Sequence, residues 1–250
     1  MIIKNLKKIY DENIVVNDVN FEIPKGKVTS LIGPNGAGKS TVMHLLSRLI
    51  KRDGGNVYYA DKDILDYTSE NLAKKISILT QTNNINTKIT VRDLVAFGRF
   101  PHSKGILQEK DYTLIENAID CMNITDIQDR FINELSGGQR QRAFIAMVLC
   151  QDTDYILLDE PTNSLDIYHA SELMRLIRDM AEKYNKTVVL VLHEINLASF
   201  YSDFIIAFKD AKIAICGNVN EVMTKENLKF IYDVDFKMID IEGKPLSIYY

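Results

Sequence analysis

The chain of 250 residues contains no tryptophan, three cysteines and five prolines, and the scarcity of each of the last two removes a class of protein. Cys121, Cys150 and Cys216 stand far apart without CxxC spacing, and an odd count argues against a disulfide framework, so a reducing cytoplasm is expected. No apolar run nears the roughly 18 residues of a membrane span, and residues 1–12 lack the apolar stretch of a signal peptide. The chain is therefore expected to be soluble by itself, with any membrane attachment made through a partner. Lysine and arginine number 30 against 34 acidic residues, a net charge of −4, so the basic footprint that neutralises nucleic-acid phosphates is missing. Proline-rich linkers, low-complexity tracts and tandem repeats are missing too.

What is present suits one compact domain: 46% hydrophobic residues against 26% charged can bury a sizeable core. Branched apolar runs at 28–32, 155–158, 188–192 and 204–208, with helical patterns between several of them, predict an α/β sheet covered on both faces. Residues 14–16, 19 and 21–23, followed by the turn Pro24-Lys25-Gly26, suggest antiparallel strands and a hairpin. Between about 90 and 150 helical periodicity takes over, as at Leu114, Ile115, Ala118, Ile119 and Met122, and predicts a helical insertion. After Gly217 a short helix at about 219–232 and weak strands ending at 246–250 are expected.

Gly33-Pro34-Asn35-Gly36-Ala37-Gly38-Lys39-Ser40, followed by Thr41, satisfies GxxxxGK[ST] directly after an apolar strand. A helix with Val42, Leu45, Leu46 and Leu49 on its inner side should follow. In such a loop glycines let backbone N–H groups converge on phosphate oxygens, Lys39 adds a point charge and the Ser40 hydroxyl can bind Mg²⁺. A plain glycine-rich turn is the alternative. The run 155–161 is an apolar strand closing in Asp159-Glu160-Pro161, and adjacent acids there are costly unless a metal or substrate uses them. Side chains alternate along a strand, so the two acids can take different tasks. Asp159 would hold the Mg²⁺ shell through water, and Glu160 would polarise the attacking water as general base. Without the phosphate loop, a solvated turn would explain the pair equally well.

Leu135-Ser136-Gly137-Gly138-Gln139, just before a helical stretch, resembles the signature of ABC ATPases almost letter for letter. Its physics repeats the phosphate loop, with a hydroxyl and glycine N–H groups at a helix N-terminus; an ordinary serine N-cap is the alternative. Other positions follow the ABC order across nearly the whole chain. Tyr10 resembles the aromatic that stacks on adenine, and Gln81 the residue that reaches Mg²⁺ and the attacking water. Ser164-Leu165-Asp166 resembles the loop that crosses to the partner chain, and His193 the switch histidine at the γ-phosphate. The resemblance implies a P-loop NTPase (RecA-like) core of mostly parallel strands with an antiparallel β subdomain and a helical insertion. Within one domain, residues 1–88 would hold the β subdomain and phosphate-loop part, 89–150 the helical signature subdomain, 151–216 the rest of the core and 217–250 a short tail. It also implies a homodimer enclosing two ATP, each between the phosphate loop of one copy and the signature of the other.

The strings LVAFGRFPH at 94–102 and HEINLA at 193–198 resemble the ATPase subunits of bacterial importers for iron-siderophore complexes, haem and cobalamin. Such a subunit would sit peripherally on the cytoplasmic face of the cell membrane, with permease subunits as partners and a substrate-binding lipoprotein acting indirectly. Glu194 departs from the commoner aspartate, and no functional conclusion follows from it. The tail is too short for an added regulatory domain, which counts against sugar-type importers. A ribosome-acting ABC ATPase would normally join two such domains, and a chromosome-structuring one would carry a long coiled coil. An iron-sulfur assembly partner remains the non-transport alternative. The surface of Gln81 and residues 91–102 is expected to receive the permease, with Phe97, Phe100 and Pro101 as an apolar patch, Arg99 and His102 beside it, Phe100 outside any helix, and the polar stretch 82–88 as a hinge.

Overall fold

Strand β3 (Val28–Ile32) is buried at all five positions, Thr29 and Ser30 included, because a strand enclosed on both faces leaves no side exposed. It belongs to the first of two structural units, Met1–Tyr67 with Val189–Tyr250; the second is Thr68–Val188. The computed structural model describes residues 1–81 and 88–249.

In the first unit β3 runs parallel to β9 (Phe204–Lys209), in register from Thr29 opposite Phe204 to Ile32 opposite Ala207. β10 (Lys212–Asn218) returns antiparallel to β9 through Asp210 and Ala211, both at positive φ, the twist a two-residue hairpin favours. β1 (Ile2–Tyr10), β2 (Asn13–Glu22), β4 (Gly54–Tyr59) and β5 (Lys62–Asp63) form an antiparallel sheet in the order β2-β1-β4-β5. Here the expected hairpin moves: the turn lies at Asp11–Glu12, where Asp11 takes φ 52°, and Pro24-Lys25-Gly26 instead leads from β2 into β3. Helix α1 (Lys39–Leu46) buries Val42, Leu45 and Leu46 as expected, but it ends before Leu49, which is exposed.

The tail of this unit forms two short helices, α9 (Val219–Val222) and α10 (Lys225–Tyr232), because the Thr224 side chain caps the second. The hairpin β11 (Phe236–Ile241) and β12 (Lys244–Tyr249) then docks on α8 (Ile195–Tyr201) through Asn196 and Ser247.

In the second unit β6 (Ile76–Leu79) runs parallel to β7 (Tyr155–Asp159), and β7 is wholly buried. Around them lie α2 (Ser69–Ala73), α3 (Val91–Phe97), α4 (Phe100–Ser103), α5 (Glu109–Cys121), α6 (Gly137–Cys150) and α7 (Ile167–Tyr184). Four of these N-termini have a local cause in a side-chain cap: Thr68 caps α2, Thr90 caps α3, Ser136 caps α6 and Asp166 caps α7. In α7 the apolar Ala170, Leu173, Met174, Ile177 and Met180 recur at helical spacing and are buried, with Leu176 and Ala181 beside them. The boundary between the units falls inside β8 (Thr187–Val191).

Candidate functional site

In the first unit the phosphate loop leaves β3 through Gly33, whose φ of 138° and tight surroundings require glycine, since an added Cβ would lie 2.2 Å from the Phe208 carbonyl oxygen. Gly38 is constrained likewise, at φ 98° with an added Cβ 2.4 Å from the Val15 carbonyl oxygen. Gly38 is also the N-cap of α1, so no side chain closes that helix end. Lys39, first residue of α1, is buried and folds its ammonium back onto the loop, donating to the Gly33 carbonyl at 2.8 Å and the Pro34 carbonyl at 2.9 Å. An amino group held inside a loop of convergent backbone, at an uncapped helix start, fits a polyphosphate. Asn35 and Gly36 are exposed, Ala37 is buried, and Ser40 and Thr41 are half-buried on the first turn of α1.

Tyr10 ends β1 exposed, with the Lys8 ammonium 5.1 Å from its ring centroid. His193 stands exposed two positions beyond β8, on a segment tied to β3 where the Leu192 N–H donates to the Leu31 carbonyl.

The second unit holds the acids. Asp159 closes β7 buried, whereas Glu160 is half-buried in a left-handed conformation at φ 52°. The Gln81 side-chain amide donates to the Glu160 carboxylate at 2.7 Å, and that of Asn163 at 3.3 Å. β6 and β7, adjacent and parallel, deliver Gln81 and Glu160 from their C-terminal ends, where side chains of neighbouring parallel strands can meet. No group of three His, Cys, Asp or Glu able to hold a metal ion occurs among the described residues. Mg²⁺ is commonly held by one or two protein ligands plus substrate phosphates, and the buried Asp159 carboxylate at the end of β7 is an oxygen donor of that kind.

The signature segment opens α6. The Ser136 hydroxyl accepts from the Gln139 N–H and the Gln139 side chain accepts from the Ser136 N–H, a reciprocal capping box that fixes the turn carrying Gly137 and Gly138. Ser136 is thus the N-cap of α6 and is exposed; Leu135 beside it is half-buried. Space around Gly137 is open, but an added Cβ on Gly138 would meet the imidazole of His169 at 3.0 Å. That imidazole is held in turn by Asp166, 2.8 Å from its Nδ1. The His169 N–H and ring keep the Asp166 carboxyl below the usual carboxylate range. Ser164, at φ 64°, and Leu165 make the turn before Asp166.

The segment 94–102 departs from expectation in two respects. Arg99 is buried: its Nε donates to Asp111 at 2.9 Å and its Nη1 to the Cys150 carbonyl at 2.8 Å, so the apolar patch lacks it. Buried as it is, the guanidinium needs the Asp111 carboxylate on α5 and the Cys150 carbonyl on α6 to compensate its lost solvation. Phe100 lies inside a helical turn, since Pro101 occupies a first-turn position where no N–H is needed, and both Phe100 and Phe97 are exposed. His102 bonds the Gln151 carbonyl, and burial together with the Arg99 charge holds its imidazole below the usual value. Of the expected hinge 82–88, residues 82–87 lie outside the described residues.

Sequence reasoning missed His169, the Arg99–Asp111 pair and Tyr232, whose hydroxyl accepts the Gly33 N–H at 3.0 Å. His169 had a detectable signal, standing three residues after a capping aspartate; Tyr232 had none, being 199 residues from its partner.

The ABC transporter family model matches residues 16–163. The petrobactin import ATP-binding protein YclP of Bacillus subtilis (strain 168) is 47% identical over 248 residues, covering 99% of this chain and 98% of that protein. The iron(3+)-hydroxamate import ATP-binding protein FhuC of the same strain is 38% identical over 245 residues, covering 96% and 91%. Among solved structures, an inward-facing transporter described as of metal-chelate ABC type superposes with a TM-score of 0.84 at 26% identity, covering 100% of this chain and 96% of the other. A dimeric ATP-binding cassette bound to ADP and Pi gives 0.76 at 29% identity, covering 87% and 98%.

Proposed function

The chain belongs to the ABC transporter family, and from that footing we propose that it is the ATP-hydrolysing subunit powering import of an iron-siderophore complex through a partner permease. The observation that carries the cargo class is near-full-length similarity to two import ATP-binding proteins, one named for petrobactin and one for iron(3+)-hydroxamate. Two copies close around two ATP, as the dimeric form of a related cassette supports. No described helix is long and apolar enough to cross a membrane, and the subunit works peripherally, on the cytoplasmic face, beneath its permease. The exposed Phe97 and Phe100 offer that permease an apolar landing point. One ABC ATPase domain spans the chain, with 89–150 as its helical, signature-bearing part.

Each site residue has a task under this reading. Residues 33–41 hold the phosphates, Lys39 neutralises them and Tyr10 stacks on the adenine. Ser40, Gln81 and Asp159 would hold Mg²⁺, which when bound supplies charge neutralisation on the phosphate oxygens. Glu160 takes a proton from the attacking water, Gln81 keeps its carboxylate oriented through the 2.7 Å bond, and His193 contacts the γ-phosphate. Leu135 to Gln139 act on the ATP held by the partner copy, and Ser164, Leu165 and Asp166 form the crossing loop.

The deciding experiment is Glu160→Gln, which keeps shape and a hydrogen-bonding oxygen for Gln81 but removes the base. ATP binding should persist, Mg²⁺-dependent turnover should fall by about a hundredfold or more, and an ATP-bound dimer should accumulate on size exclusion. Hydrolysis at the wild-type rate would refute the assignment of the base.

A further inference from the structure

We propose that the C-terminal tail belongs to the nucleotide site and that Tyr232, on α10, is a positioning residue setting the phosphate loop's affinity for ATP. The inference rests on the ATPase reading above. Its first support is a short path through one residue: the Gly33 N–H donates to the Tyr232 hydroxyl at 3.0 Å, while the Gly33 carbonyl accepts from Lys39 at 2.8 Å. Gly33 therefore joins the tail to the lysine that meets the phosphates. Behind it, the Phe208 carbonyl leaves no room for movement toward β9. Tyr232 holds it by the N–H.

The tail itself is anchored, so the hydroxyl has a fixed position to impose. The Tyr232 ring lies 6.1 Å from that of Phe236, and the Phe236 ring 5.6 Å from that of Tyr249, the residue opposite it in the β11–β12 hairpin. These tilted and edge-to-face contacts fix ring orientation as well as burying area. The hairpin is fastened to α8 by a reciprocal pair: the Asn196 amide donates to the Ser247 carbonyl at 3.1 Å, and the Ser247 N–H donates back to Asn196 at 2.9 Å. The Ser199 hydroxyl adds a bond to the Pro245 carbonyl. Because α8 starts two residues after His193, the same tail supports the loop start and the helix that follows the switch histidine.

Tyr232 is suited to this task chemically. Burial pushes its phenol up to about 12, so it stays neutral across working pH and its oxygen accepts the N–H under all ordinary conditions. A phenylalanine would fill the same space and leave the Gly33 N–H without its acceptor.

The test is Tyr232→Phe in the full chain, measured with a fluorescent ATP analogue and by steady-state hydrolysis, well below the melting temperature. Loss of one orienting hydrogen bond should weaken ATP affinity and raise KM about three- to tenfold, with kcat at saturating ATP nearly unchanged. A purely structural tyrosine would instead lower the melting temperature and leave KM alone. Wild-type affinity and KM in the variant, whatever its melting temperature, would overturn the proposal. If the variant is too unstable to assay, amide exchange of the wild-type phosphate loop decides: the Gly33 N–H should be protected with the loop's neighbours exposed, and rapid exchange at Gly33 would overturn the proposal. A wild-type chain that bound no ATP would overturn the ATPase reading and this inference with it, whereas unchanged affinity in the variant of an ATP-binding chain overturns the inference alone.

Discussion

The imidazole of His169 occupies the space that a side chain on Gly138 would need, with its Cδ2 3.0 Å from where an added Cβ would stand. Contacts that close require a neighbour to give way, and His169 is restrained because Asp166 holds its Nδ1 at 2.8 Å. Gly138→Ala should therefore destabilise the chain by about 1 kcal/mol despite the better helix propensity of alanine. In a His169→Ala background only a Cβ at an ordinary 3.5 Å remains, and the same substitution should become neutral or stabilising. Thermal melts of the four chains form the cycle; equal effects of Gly138→Ala in both backgrounds would show that His169 does not constrain it.

The buried Arg99–Asp111 pair predicts a pH dependence. Burial raises the Asp111 carboxyl, but the Gln108 N–H and the Arg99 guanidinium outweigh that and hold it below the ordinary value of 3.8. A lowered folded-state value means stability that is fully present above the unfolded value and lost as pH falls through the folded one. Asp111→Asn should accordingly cost about 3 kcal/mol at neutral pH, since it strands a buried guanidinium. The gap between wild type and variant should narrow only below about pH 4. A gap independent of pH down to acid unfolding would mean the charge on Asp111 is not what matters.

Burial of Arg99 separates two substitutions that the sequence would group together. Phe100→Ala, at an exposed ring, should leave melting and basal ATPase near wild type and lower only permease-stimulated hydrolysis and transport. Arg99→Ala should instead lower the melting temperature substantially, by breaking the pair and its bond to the Cys150 carbonyl. Transport at wild-type level in Phe100→Ala membranes would remove the patch as a landing point.

Ser136→Arg should bind ATP normally yet fail to hydrolyse it, because the signature serves the nucleotide of the other copy. The substitution also removes a helix cap, worth about 1 kcal/mol, so Ser136→Ala is the control for stability. Normal hydrolysis by the arginine variant would contradict the two-copy site.

Much of this was legible in the chain because short-range rules wrote it. The strand before Gly33, the helix after it and the capping of α6 by Ser136 are all decided within a few residues. The misplaced hairpin has a local cause as well: Pro24-Lys25-Gly26 looks more like a turn than Asp11-Glu12, yet pairing of Tyr10 with Asn13 fixes the latter. Burial of Arg99 is illegible because charged residues usually lie at the surface and its partner Asp111 sits on a different helix. Tyr232 and Gly33 meet only through the fold, and periodicity carries no information about such a meeting.

The left-handed backbone at Glu160 carries an evolutionary cost. A side chain with a Cβ at φ 52° loses roughly 1 kcal/mol relative to glycine, which takes that conformation freely. A Glu160→Gly chain would lose that strain together with the bonds from Gln81 and Asn163, and should hydrolyse nothing. Selection of this subunit for heat resistance, run without a demand for transport, would set that strain against those two bonds with nothing to protect the proposed base, and thermostable clones should be sequenced at position 160 before they are trusted as pumps.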